Sequence, residues 1–138
     1  METMTQKDKE LLLKDLCARL PYGVKVESVF INPDTKEHKS CGIEVFDATS
    51  LLMIRDGLGE FKPYLFPLSS MTEEQKKKLK VMCDWHDDEE DAQSILVLYH
   101  KHFVMKSDVI DWLNENHFDY RGLIEKGLAI DSTGLNIY

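Results

Sequence analysis

Gly23-Val24-Lys25-Val26-Glu27-Ser28-Val29-Phe30-Ile31 runs into Asn32-Pro33-Asp34-Thr35-Lys36-Glu37-His38-Lys39, and Cys41-Gly42-Ile43-Glu44-Val45-Phe46-Asp47 follows; this stretch decides the fold. Val24, Val26, Ser28 and Phe30 share one face of an extended chain, and Lys25, Glu27, Val29 and Ile31 share the other. β-Branched residues in near alternation predict a strand with at least one buried face. The polar middle segment predicts a hairpin loop, and Cys41 to Asp47 a second strand. Leu51 to Arg55 reads as a third strand and Phe61 to Phe66 as a fourth, with Asp56-Gly57-Leu58-Gly59 as the turn between them. Connections this short favour an antiparallel meander. Pro63 has no N–H to give a ladder, so the fourth strand is expected at an edge.

On the N-terminal side, Leu12, Leu13, Leu16 and Leu20 recur at three- and four-residue steps among charges. That predicts an amphipathic helix over 5–20, capped by Thr5 with Asp8 and stopped by Pro21. On the C-terminal side, Ser70-Met71-Thr72-Glu73 predicts an N-cap at Ser70, with Thr72 and Gln75 as the competing register. That helix is expected to reach Cys83, with Leu79, Met82 and Cys83 inward and Glu73/Lys77 and Glu74/Lys78 paired along it. Residues 95–105 suit helix better than strand, given acid before them and Lys101 and Lys106 towards and beyond their C-terminal end. Ser107 is expected to cap a further helix carrying Val109, Ile110, Trp112 and Leu113 inward. Asp119 is expected to cap a short helix through Lys126, closed by Gly127. The fold class is therefore α+β in one domain, 1–138. It is a four-stranded, mainly antiparallel sheet with an N-terminal helix and a C-terminal helical group packed on it.

With 138 residues and 16.0 kDa, the chain is long enough to bury a sizeable core. Its 25 acidic and 17 basic residues give a net charge of −8, which argues against ordinary duplex binding. Most of that surplus sits in Asp84, Asp87, Asp88, Glu89, Glu90 and Asp91. No apolar stretch near the N-terminus has the ~7–15 residues of a signal peptide, and none approaches the ~18 of a membrane span. Cys17, Cys41 and Cys83 are odd in number and widely spaced, so reduced and mostly buried thiols are expected in a cytoplasmic protein.

Three segments carry a resemblance: Ala18-Arg19-Leu20-Pro21-Tyr22-Gly23-Val24, Tyr64-Leu65-Phe66-Pro67-Leu68-Ser69-Ser70-Met71-Thr72, and Trp112 through Ile130 with His117-Phe118-Asp119-Tyr120-Arg121-Gly122 inside it. Together they cover about a quarter of the chain. The chain resembles a set of small uncharacterised proteins carried by gut bacteria and their phages or mobile elements. The resemblance implies an intracellular protein of such a genome and brings no activity, cofactor or site residue.

No nucleophile elbow, phosphate loop, EF-hand or His-Glu-x-x-His spacing is present. No catalytic residue, metal or cofactor is therefore assigned. The leading expectation is a small interaction or accessory protein that binds another protein, with a basic one favoured by the acidic run. Its candidate contacts are Asp87, Asp88, Glu89 and Glu90, together with Trp112, Tyr120 and Arg121, residue types enriched at interface hot spots. The bland alternative for Arg121 is an ion pair with Asp119 or Glu125. His117 is expected to pack or hydrogen-bond near its turn. A second reading is a metal-assisted enzyme using His86 amid Asp84, Asp87, Asp88 and Glu89. A weaker third is nucleic-acid binding by the helices at 107–116 and 119–126, where only Arg121 and Lys126 are basic on the second.

Overall fold

The computed structural model describes residues 4–85, 91–102 and 106–138. Helix α1 spans Gln6–Arg19 and opens on a reciprocal cap: Thr5 Oγ1 accepts the Asp8 amide at 3.1 Å, and the Asp8 carboxylate accepts the Thr5 amide. Its inner face carries Leu12 and Leu16, and also Asp15 and Arg19, while Leu13 from the predicted stripe is 39% exposed. A 3-10 turn at Leu20–Tyr22 then leads to Gly23, whose φ of +68° lets the chain reverse into the sheet.

Strands β1 (Lys25–Ile31) and β2 (His38–Val45) form the predicted hairpin. Its loop is held by Asn32 Oδ1, which accepts the amides of Asp34 and Thr35. Val24, Val26 and Ser28 face the core as the alternation requires. The third expected strand is instead helix α2, Ala48–Arg55. Asp47 and Ser50 cap each other there, the Asp47 carboxylate accepting the Ser50 amide at 3.0 Å. The Asp56-Gly57 pair closes that helix: Gly57 N–H bonds to Ile54 O and Leu58 N–H to Met53 O, with Gly57 at φ +71°. Leu51-Leu52-Met53-Ile54 is too short a run for its period to separate strand from helix, and the cap decides.

β3 (Gly59–Pro67) is the hub of the sheet and not its edge. Its first half pairs antiparallel with β1, and beyond Pro63 it pairs in parallel with β5 (Ile130–Asp131) and β4 (Phe118–Asp119). The sheet is thus mixed and five-stranded, in place of the expected four-stranded antiparallel meander. Pro63 fits because backbone groups alternate sides. The Tyr64 carbonyl faces β1, where the Tyr138 hydroxyl meets both it and the Lys25 amide. The Pro63 nitrogen therefore points the other way, towards a side that β5 joins only from Tyr64 onward.

Helix α3 (Glu73–Met82) takes the later of the two cap registers, with Thr72 and Gln75 bonded reciprocally, and Glu73 pairs with Lys76 at 3.3 Å, not with Lys77. Helix α4 spans Ala92–His102, as favoured from the sequence, and helix α5 spans Ser107–Glu115. The N-cap of α5 is Lys106; Ser107 is its first helical residue and caps nothing. Two apolar clusters result. One joins α1, β1 and β3 with Phe46, Leu123 and Leu128; the other joins α3, α4 and α5 with Met71 and Phe118. Cys83 is buried, but Cys17 and Cys41 are exposed, against the expectation of mostly buried thiols; all three are free. No helix among the described residues is long and apolar enough to cross a membrane.

Candidate binding surface

Tyr120 and Arg121 converge with Arg19 on the carboxylate of Asp15, which no sequence motif marks. Asp15 lies fully buried on α1 and accepts two charged hydrogen bonds: from Arg19 Nε to Oδ2 and from Arg121 Nη1 to Oδ1, both at 2.8 Å. Arg19, also fully buried, gives Nη2 to the Phe118 carbonyl at 2.7 Å. The Tyr120 ring lies against both cations, 5.2 Å from the Arg19 guanidinium carbon and 4.7 Å from that of Arg121, and its hydroxyl donates to Asn114 Oδ1. Arg121 thus pairs with neither Asp119 nor Glu125. Arg19 uses its fixed fork of donors to span two acceptors, the Asp15 carboxylate through Nε and the Phe118 carbonyl through Nη2. The cluster fastens α1 to the chain after α5.

Asp119 does act as a cap, accepting the Leu123 and Ile124 amides at 3.0 and 2.9 Å. The chain then makes a single turn. Leu128 N–H bonds to Leu123 O and Gly127 N–H to Ile124 O, with Gly127 at φ +73°. The expected helix at 119–126 is therefore an isolated turn, closed at both ends before a second could start. With it goes the two-helix unit that the nucleic-acid reading required. Trp112 is 9% exposed and packs on Phe118, their rings 5.8 Å apart, so it belongs to the core and not to a surface patch with Tyr120 and Arg121.

His117 packs, as expected of it, and its partner is the last residue: the two rings of His117 and Tyr138 stack at 3.6 Å and 10°. Burial, with Arg19 and Lys25 nearby, holds the imidazole down to about 4, so it is neutral at pH 7. Burial also pushes the Tyr138 phenol up to about 12. Phe66, Ser70, Gln75 and Asn116 join these rings around a shallow depression of about 380 Å³.

The other side of the sheet is open. All eight residues of β2 are exposed, and Ile43 and Val45 remain 53% and 52% exposed on the face turned away from α1. Among the described residues β2 has a single strand neighbour, β1, so the opposite edge of its backbone is unpaired. His86, Asp87, Asp88, Glu89 and Glu90 lie outside the described residues. Among those described, no group of three or more His, Cys, Asp or Glu is placed to hold a metal ion. No family model, curated protein or solved structure matches the chain.

Proposed function

We propose that this chain is a small interaction protein that docks another protein along the open edge of its sheet. The observation that carries this reading is β2: eight exposed residues, a backbone edge unpaired among the described residues, and two exposed branched apolar side chains side by side on one face. Strands left at an edge are templates for a further strand, which gains main-chain hydrogen bonds for affinity and alternate side-chain contacts for specificity. The test is capture from host lysate with wild type and with Ile43→Lys/Val45→Lys. Those side chains are exposed, so the melting temperature should stay close to wild type while the captured protein is lost. Equal capture by both would refute the edge as the contact.

A further inference from the structure

The edge of β2 is complementary to itself. Phe46 N–H bonds to Val24 O, and Val26 lies opposite Glu44, so Glu44 and Phe46 turn their backbone groups towards β1. Alternation then turns those of Ile43 and Val45 to the open side. The register slips between Ser28 and Val29, pairing Ser28 with Gly42 and Val29 with Ser40, so Cys41 is the extra residue of a bulge. Past the bulge the open side belongs to Ser40 and His38, because Lys39 lies opposite Phe30. The outward groups are therefore those of 38, 40, 43 and 45. Lys39 and Glu44, opposite Phe30 and Val26, share the inner face, and His38, Ser40, Ile43 and Val45 share the outer one.

We propose that two copies of this chain pair β2 against β2 about a twofold axis between Cys41 and Gly42, joining their sheets into one. This rests on the edge reading above and names the occupant of that edge. In this register His38 faces the partner copy's Val45 and Ser40 faces its Ile43, all with outward backbone groups and all on the outer face. Lys39 faces the partner copy's Glu44 on the inner face, and the symmetry repeats that opposite-charge pair. The two bulges meet at the axis, Cys41 against Gly42, so neither throws the other half out of phase. A shift that sets residue 39 or 44 opposite itself brings like charges together. A shift of two residues either way sets an outward residue against the bulge.

Sedimentation of the 138-residue chain over a concentration series should reach twice the 16.0 kDa monomer mass. Lys39→Glu and Glu44→Lys should each give monomers, because each places two like-charge contacts in the dimer. An equimolar mixture of the two should dimerise again, which simple unfolding of either variant cannot produce. The axis sets the two Cys41 Cα atoms about 6 Å apart, from the strand spacing and a one-residue offset, within disulfide reach. Diamide, taking up the two thiol hydrogens, should therefore link the copies through Cys41 and not through the exposed Cys17 on α1. A wild-type monomer at every concentration overturns the proposal, as does a dimer indifferent to both charge changes or linked through Cys17. A monomer whose lysate capture is lost in Ile43→Lys/Val45→Lys overturns self-pairing but leaves the edge with a different partner. A monomer whose capture ignores those changes overturns both.

Discussion

Asp15→Ala should be among the most damaging single substitutions in this chain. The carboxylate is fully buried and stands between two guanidinium groups at 2.8 Å each. Removing it strands Arg19, also at 0% exposure, with only the Phe118 carbonyl and the Tyr120 ring for company. Breaking a buried pair from one side leaves an uncompensated charge, which costs about 3–5 kcal/mol. That is a large part of the ~5–15 kcal/mol by which a domain is stable. Arg121→Ala is a different perturbation. Its side chain is 17% exposed, and Asp15 keeps Arg19, so the loss should be that of one charged hydrogen bond, about 1.5–3 kcal/mol at most. Asp15→Leu combined with Arg19→Met removes both charges and should recover much of the loss, since apolar replacements of buried pairs are often close to neutral. Urea unfolding followed by tryptophan fluorescence, with Trp112 packed on Phe118 next to the cluster, reads all three. A loss below about 1 kcal/mol for Asp15→Ala, or a larger one for Arg121→Ala, would refute the claim that this carboxylate anchors the cluster.

Thr72→Ala should cost about 1 kcal/mol by removing the cap that fixes the start of α3. Ser107→Ala should change thermal stability by less than about 0.5 kcal/mol, because that hydroxyl caps nothing. Tyr138→Phe leaves the Lys25 amide and the Tyr64 carbonyl without their shared hydroxyl, so unfolding should shift by about 1–3 kcal/mol; an unchanged midpoint would mean the terminal ring is not seated. His117 takes a proton near 4 when folded and near 6.5 when unfolded, so its contribution is whole above 6.5 and disappears as pH falls from 6.5 to 4. Discounted for a ring that is only partly buried, the loss is about 1–2 kcal/mol across that window. His117→Asn keeps a residue tolerant of the local φ of +61° and removes the titration, so its stability profile should be flatter there than that of wild type.

What the sequence showed well was whatever a local period or a local cap specifies. The β1–β2 hairpin, α1 with its Thr5 cap, and the apolar side of α5 all follow from spacing within a dozen residues. What it hid is non-local. Pro63 looked like an edge signal because nothing near it says that parallel strands from 118–119 and 130–131 arrive only from Tyr64 onward. The Asp119 cap and the Gly127 closure are both local signals and both present, yet together they enclose one turn and not a helix. For α2 the signal was present: Asp47 and Ser50 stand three apart ahead of an apolar run. Asp15 and Arg19 were legible too, at the same spacing as Leu12 and Leu16, on the face that packs inward. A charge on an apolar stripe is a request for a buried partner; the partner, Arg121, lies 106 residues away.

The distribution of these fastenings bears on which side of the molecule is left to act. Arg19 and Arg121 hold the segment after α5 onto α1, Ser132 bonds twice to the Leu65 carbonyl, and Tyr138 closes the gap beside the start of β1. Together these secure the C-terminal chain to α1, to β3 and to the start of β1. Tyr120 and Arg121, two of the expected contacts for a partner, are spent there. At the far side of the sheet nothing comparable is invested: no described helix or tail lies along β2, and its branched side chains stay in water. Leaving Ile43 and Val45 exposed on a strand whose outer edge has no partner among the described residues carries an aggregation hazard, which Lys39 and the bulge at Cys41 reduce without removing.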